Sequence, residues 1–239
     1  MSKSHLYALY VSVALLIVPL SIFGQSYPSA SPKMYVIAAD GSESAEEGFD
    51  GNAPMHARFE ACPVDLGDYE ALYEWRFTKM DTAEPFLVRY DEVTDYTFTE
   101  SGSFTVKLYA TFQRDGETIE WEADNAFSIN ISESFLEVPN AFTPNNDGTN
   151  DTFHVKEGYR SIVEFHAQVF NRWGKKLYEW HDPAGGWDGT VGGNGGTEAP
   201  DGAYYLTVEA RGADGRHYHF KKVINLLRTY HEVTGETGQ

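Results

Sequence analysis

A strict two-residue period runs through residues 104–112, where every second side chain is apolar. Such alternation is typical of a β-strand with one buried face, whereas an amphipathic helix repeats its apolar side chains every three or four residues. Asp115-Gly116 follows the run, and this pair predicts a tight hairpin turn. The pattern therefore predicts an antiparallel β-sheet.

Shorter runs with the same period stand before and after it, and no helical periodicity competes with them. They cover residues 57–61, 73–77, 119–123, 127–131, 164–169 and 204–210. Clusters of Gly, Pro, Asn and Asp separate the runs and predict turns between short strands. We therefore predict an all-β chain of two consecutive antiparallel β-sandwich (immunoglobulin-like) domains, the first with about seven strands between Tyr35 and Ser132.

Residues 1–24 are predicted to be a cleaved secretory signal peptide. Lys3 precedes an apolar run over residues 6–23, and small residues close it at Ser21 and Gly24. A membrane-spanning helix is the alternative, because the run is nearly long enough to cross a bilayer. No basic cluster follows, which favours cleavage and export through the inner membrane. The sequence predicts no integral membrane span after cleavage.

Charge and cysteine content exclude two kinds of chemistry. The formal net charge is −18, and residues 25–137 account for −16 of it. An acidic surface repels phosphate backbones, so the sequence predicts no nucleic-acid partner. Cys62 is the only cysteine and leaves no intramolecular disulfide. We interpret it as a buried thiol, because no Cys-His-Asn arrangement surrounds it.

Composition divides the rest of the chain into four segments. Residues 25–52 are rich in Ser, Pro, Gly and acid, which predicts a leader and a loop at 39–52, with a candidate first strand at 34–37. Residues 53–137 are predicted to form the first β-sandwich and residues 138–228 the second. Residues 229–239 are a predicted tail.

Five sequence blocks in the second half of the chain have a distinctive residue composition. They are Val138-Pro-Asn-Ala-Phe-Thr-Pro-Asn-Asn-Asp-Gly-Thr-Asn-Asp-Thr-Phe153, Val169-Phe-Asn-Arg-Trp-Gly174, Trp187-Asp-Gly-Thr190, Pro200-Asp-Gly-Ala-Tyr-Tyr205 and Val223-Ile-Asn-Leu-Leu-Arg228. In this order they resemble the type B sorting domain of the type IX secretion system, also called the gliding motility-associated C-terminal domain, of Bacteroidota. The resemblance implies that the translocon of that system recognises the domain and carries the chain to the outer-membrane surface or the medium.

The first half is similar to PKD-like, immunoglobulin-type modules of surface proteins. The similarity rests on Tyr73-Glu-Trp-Arg-Phe77 and on Phe98-Thr-Glu-Ser-Gly-Ser-Phe-Thr-Val-Lys-Leu108. Those modules commonly continue with a Gly-Asp-Gly turn after the first motif, where this chain has Thr78-Lys-Met-Asp81. The resemblance implies a β-sandwich, as the alternation does.

An acidic loop in the first of the five blocks is a candidate calcium site. Its oxygen-bearing side chains are Asn145, Asp147, Asn150 and Asp151, and hard cations need several oxygen ligands at close spacing. The loop is not an EF-hand, because Asn150 stands where that motif needs glycine and Lys156 where it needs glutamate. Side-chain to backbone turn bonding is the alternative explanation. No other cofactor is predicted.

Six residues are candidates for recognition by the translocon, as the resemblance implies. They are Arg172, Trp173, Gly174, Lys221, Lys222 and Arg228. For Arg172 and Trp173 the alternative is a guanidinium stacked on an indole to close a turn.

No set of residues with catalytic spacing is visible, so the sequence predicts no enzyme. His217 and His219 lie two apart on a strand and face the same way, but no third metal ligand stands nearby. Trp180 and Trp187 are interpreted as core side chains rather than as a sugar platform.

The function that fits these features is an exported, non-enzymatic binding or signalling adapter with envelope or surface proteins as partners. A small cargo of this build resembles the PorA-like adapters of the secretion apparatus. The alternatives are an adhesin or ligand-binding module released to the medium, and a small hydrolase.

Overall fold

The computed structural model describes residues 27–228. The predicted signal peptide and the predicted tail at 229–239 lie outside the described residues. Within 27–228 every regular element is a β-strand, which confirms the all-β fold class. This part of the chain contains no helix of the length and apolarity needed to cross a membrane.

Twelve of the described strands lie in the first module. They are β1 Ser29–Ala30, β2 Lys33–Ile37, β3 Glu43–Glu46, β4 Gly48–Gly51, β5 Met55–Glu60, β6 Pro63–Val64, β7 Glu70–Lys79, β8 Leu87–Arg89, β9 Val93–Phe98, β10 Gly102–Arg114, β11 Glu117–Glu122 and β12 Phe127–Ile131. One sheet has the order β3-β2-β5-β9. A second has the order β4-β12-β10-β7-β8, with β11 beside β10, and β1 and β6 form a separate two-stranded sheet.

Two of these strands correct the prediction of a loop at 39–52. All four residues of β3 are exposed, and the strand pairs with β2 through its backbone. β4 pairs in parallel with β12. A strand at the edge of a sheet needs backbone partners and no buried face. The polar composition therefore concealed both strands, and the predicted strand count of about seven is too low.

An aromatic core joins the two larger sheets of the first module. The Phe59 ring of β5 lies 5.7 Å from that of Trp75 and 5.4 Å from that of Phe77, both on β7. All three side chains are fully buried, and burial of each contributes about 2 to 3 kcal/mol. The Trp75 indole donates a hydrogen bond to the carbonyl of Asp91 at 3.1 Å. The inner faces are thus committed to packing, and the outer faces remain for binding.

The second module has seven strands among the described residues. They are β13 Ala141–Phe142, β14 Ile162–Phe170, β15 Lys176–Trp180, β16 Thr190–Val191, β17 Thr197–Glu198, β18 Gly202–Gly212 and β19 His217–Leu226. The main sheet has the order β13-β19-β18-β14-β15, and β16 pairs with β17. Only β13 runs parallel to its neighbour β19.

Segments between the strands cover the inner face of this main sheet. Phe153 and Trp187, from two such segments, are buried in the core and pair through both backbones. The Trp187 indole donates to the carbonyl of Thr190 at 2.7 Å. Asp188 accepts from the backbone N–H of Gly195 at 3.0 Å. The glycine-rich stretch after Trp187 is thus attached to the core through the indole and the Asp188 carboxylate.

Short polar contacts join the two modules. The hydroxyls of Ser132 and Ser161 lie 2.9 Å apart, and the Ser161 hydroxyl accepts from the backbone N–H of Ala53 at 3.2 Å. Ala213, in the turn between β18 and β19, packs into the core of the first module. The backbone N–H of Ser101 donates a hydrogen bond to the Ala213 carbonyl at 3.0 Å.

Candidate functional site

The candidate calcium residues lie in one exposed loop after β13. Both carboxylate oxygens of Asp151 accept backbone hydrogen bonds, from Asn146 at 2.7 Å and from Gly148 at 2.8 Å. The Asn145 amide donates to the Asp147 carboxylate at 2.8 Å. This is the turn bonding that the alternative explanation requires.

Asn150 belongs to the same loop through its backbone. Its φ is +53°, a left-handed conformation that asparagine tolerates better than most residues. Its carbonyl accepts from the N–H of Thr143 at 2.9 Å, which closes the loop. The geometry brings the four candidates together, and calcium binding there stays a prediction.

The Arg172-Trp173-Gly174 turn projects from the end of β14. The Asn171 side chain accepts from the N–H groups of Trp173 at 3.0 Å and Lys175 at 2.9 Å. Gly174 has φ +77°, which glycine adopts without strain. The Trp173 side chain is 77% exposed, and the Arg172 guanidinium lies 4.7 Å from its ring. The turn thus presents a cation stacked on an exposed indole.

The three candidates near the end of β19 occupy different environments. Lys221 is exposed on the outer face of the sheet. Lys222 points to the inner side, where its ammonium donates to the Val138 carbonyl at 2.8 Å and to the Asn140 side chain at 3.1 Å. Lys222 therefore holds the start of the module against β19.

The Arg228 guanidinium is only 19% exposed. It donates to the carbonyls of Pro144 at 3.1 Å, Gly189 at 2.8 Å and Ala199 at 3.4 Å. The backbone N–H of Arg228 donates to Asp201 at 3.1 Å. These contacts join three separate segments, so Arg228 stabilises the fold of the module.

A hollow of about 460 Å³ lies beside the Arg172-Trp173 turn. Pro200 and Asp201 line its other side. Arg228 lies next to the hollow because its backbone N–H donates a hydrogen bond to Asp201. Lys221 and Lys222 do not line it. The structure therefore brings part of the predicted recognition set to one place and leaves the two lysines apart.

A second hollow, on the outer face of the first module, was not predicted from the sequence. We call it the Tyr109 groove. It has a volume of about 620 Å³ and is lined by Leu72, Tyr73, Glu74, Arg76, Tyr90, Tyr109, Ala110, Thr111, Glu120, Trp121 and Glu122. Strands β7, β10 and β11 form its floor.

Tyr109 stands at the middle of the groove, between two carboxylates. Glu74 of β7 and Glu122 of β11 are its cross-strand partners. The Arg76 guanidinium lies 4.0 Å from the Tyr109 ring centroid and donates to Glu74 at 2.6 Å. The hydrogen bond from Arg76 to Glu74 raises the pKa of the guanidinium. The groove is therefore an aromatic surface bordered by fixed charges.

The remaining sequence candidates are two tryptophans, two histidines and the single cysteine. Trp180 and Trp187 are buried, which confirms their interpretation as core. His217 and His219 are exposed and are not part of any three-ligand group among the described residues. Cys62 is partly rather than fully buried, and burial raises the pKa of its thiol, which disfavours the nucleophilic thiolate.

In its described part the chain is thus a protein of two β-modules, each with its own hydrophobic core. The family model of the CHU_C Type IX secretion signal domain matches residues 136–226. The second module is therefore a type IX secretion signal domain, as the five sequence blocks indicated. The match implies secretion through the type IX system, contact with its machinery, and export to the cell surface or the extracellular space.

Two solved structures show low overall similarity to the chain. The crystal structure of dimeric latent PorU from Porphyromonas gingivalis matches with a TM-score of 0.26 and 13% identity, over 84% of this chain and 20% of the PorU chain. The FN1-FN3 domains of chicken CNTN1 match with a TM-score of 0.24 and 12% identity, over 80% of this chain and 76% of theirs. The comparison with curated proteins finds no match.

Proposed function

We propose that the protein is a non-enzymatic type IX cargo whose first module binds a basic segment of an envelope or surface protein, and so acts as a small binding or signalling adapter. The observation that carries this proposal is the Tyr109 groove, an aromatic surface between carboxylates on the outer face of the sheet that contains β7, β10 and β11.

The rim of the groove is more apolar than a surface strand requires. Leu72 is 58% exposed and Tyr90 is 69% exposed, and both lie beside Tyr109 in the groove. Exposed apolar and tyrosine side chains that cluster within one concave surface are a common feature of protein interaction sites. The exposed apolar side chains therefore support the proposal that a partner protein binds in the groove.

Charge complementarity selects the kind of partner. Glu74, Glu120 and Glu122 border the groove, and most of the excess acid of the chain lies in this module. The Arg76 guanidinium lies 4.0 Å from the Tyr109 ring centroid, so this ring can bind a cation. A lysine- or arginine-rich segment would find the same two interactions, with a carboxylate and with an aromatic face.

For the signal domain we propose that the translocon reads the Arg172-Trp173 turn and the exposed Lys221. Lys222 and Arg228 support this surface indirectly, since their side chains are used in hydrogen bonds within the module. Arg172, Trp173 and Lys221 are exposed, so a partner can reach all three.

Photo-cross-linking in intact cells tests the adapter proposal. A photo-reactive residue replaces Tyr90 at the groove, and a matched one replaces Glu46 on the other sheet. Adducts identified by mass spectrometry should contain an envelope or surface protein with a basic segment, and only for position 90.

Charge reversal sharpens this test. Glu120→Lys with Glu122→Lys should abolish the position-90 adduct, while Glu43→Lys with Glu46→Lys should leave it intact. Capture of polysaccharide alone at position 90 would replace the adapter proposal with a glycan-binding module. Equal adducts at both positions, or none from the envelope, would contradict the groove as the docking site.

A further inference from the structure

We propose that His166, Glu179 and His181 form a binding site for a divalent transition-metal ion, of which zinc is the best fit, on the outer face of the signal domain. The site goes beyond the secretion signal and the adapter function, and depends on neither.

Strand register brings the three side chains together. Ala167 of β14 pairs with Trp180 of β15, so the antiparallel neighbours His166 and His181 stand opposite each other. Glu179 precedes His181 by two residues and therefore points to the same face. The donor atoms of His166, Glu179 and His181 all lie within 4.8 Å of one another.

The two imidazole rings are stacked, with centroids 4.5 Å apart and planes inclined by 11°. The Nε2 atom of His166 lies 3.4 Å from the Glu179 carboxylate. The side chains of His166 and Glu179 are 36% and 41% exposed, so small rotations toward a shared ion meet little packing resistance. Zinc requires its ligand nitrogens and oxygens at about 2.0 to 2.2 Å.

The donor set selects the class of metal. Two imidazole nitrogens and one carboxylate are ligands that zinc uses in open, three-ligand sites. Nitrogen donors suit zinc, copper and nickel, whereas calcium and magnesium prefer oxygen alone. The sheet leaves one face of the cluster open to solvent, so water or a group from a partner would complete the coordination.

Lys176 competes with the metal for the carboxylate. Its ammonium lies 2.7 Å from the Glu179 carboxylate, and the Gln168 side chain donates to the same carboxylate at 3.2 Å. The carboxylate becomes available as a ligand once the ammonium moves away. Removal of the Lys176 charge should strengthen metal binding, which an arrangement without metal function would not predict.

Isothermal titration of zinc chloride into the chelator-treated protein tests the site. We expect saturable binding of one zinc ion by the wild-type chain. His181→Ala and Glu179→Gln should each weaken binding about tenfold or more, since loss of a ligand removes a coordinate bond. Lys176→Gln should strengthen it severalfold. Melting curves without metal establish that each variant is folded.

His217→Ala with His219→Ala is the matched control, because this pair is exposed on the same face of the same sheet and belongs to no three-ligand group among the described residues. The control should bind zinc as the wild type does. Cobalt absorption bands typical of protein ligands should appear in the wild type and the control, and disappear in His181→Ala. Absence of wild-type binding, or equal loss in the control and in His181→Ala, would overturn the proposal.

Discussion

The Ser134 hydroxyl donates a hydrogen bond to the Asp214 carboxylate at 2.6 Å, which ties the segment between the modules to the turn between β18 and β19. The same hydroxyl lies 2.9 Å from that of Tyr218. Burial alone would raise the pKa of Asp214, but the hydrogen bonds from Ser134 and from the Arg216 backbone outweigh it and lower the pKa. We therefore expect the junction between the modules to be sensitive to acid.

The first prediction concerns that sensitivity. A carboxylate with a lowered pKa in the folded state contributes stability above its unfolded pKa of about 3.9, and this contribution is lost as the pH falls through the folded value. Asp214→Asn should therefore be less stable than wild type at pH 7, and the difference should vanish in acid. Melting temperatures between pH 7 and pH 2 measure this. A pH-independent difference for Asp214→Asn would contradict the account.

The second prediction separates folding from recognition at Arg228. Arg228→Ala leaves the carbonyls of Pro144, Gly189 and Ala199 without this donor, so it should lower the free energy of unfolding by about 3 kcal/mol. Arg228→Lys should recover little of it, because an ammonium does not match three carbonyls in the geometry of a guanidinium. Denaturant titration checks both, with Lys221→Ala as the exposed control. A variant at Arg228 as stable as that control would show that the residue is not structural.

The third prediction concerns the exposed indole. Trp173→Ala should change the free energy of unfolding by less than about 0.5 kcal/mol, because the side chain is on the surface. If the translocon reads the Arg172-Trp173 turn, the variant should accumulate in the periplasm while remaining folded. Fractionation of cells measures this against Tyr205→Ala, another exposed aromatic of the module. Normal export of Trp173→Ala would remove the turn from the signal.

The fourth prediction concerns calcium. If the loop around Asp151 binds calcium, titration into the chelator-treated protein should release or absorb heat and raise the melting temperature. Asp151→Ala should abolish that response, and should also cost about 1 kcal/mol without calcium because two backbone hydrogen bonds are lost. Magnesium serves as the control ion. Absence of both responses in the wild type would leave turn bonding as the full explanation of the loop.

Side-chain periodicity was sufficient to predict the strands that bury a face. The alternation over residues 104–112 corresponds to β10, whose buried and half-buried positions alternate in the same way. It failed for β3, where every side chain is exposed and only the backbone pairs.

Strand register determines which side chains meet in the two proposed binding sites, and register cannot be read from residue composition. Leu72 and Tyr109 come together because β7 pairs with β10 in one register, and Tyr90 directly follows β8, which pairs with β7. His166 and His181 oppose each other across β14 and β15, where a register shift falls between Val169 and Phe170. A shift of one residue moves every following side chain to the other face. Neither cluster was therefore accessible from spacing along the sequence.

The most direct test of the central claim is the location of a chain shortened to end at Glu133, which removes the matched residues 136–226 and keeps the aromatic core around Phe59 and Trp75. Surface-protease sensitivity in intact cells is compared with that of the full chain, and folding of the retained module is checked by its tryptophan fluorescence. We predict that the full chain is cleaved at the surface or found in the medium, and that the shortened chain stays folded and protected in the periplasm. A shortened chain that reached the surface as the full chain does would contradict the assignment of the export signal to the second module.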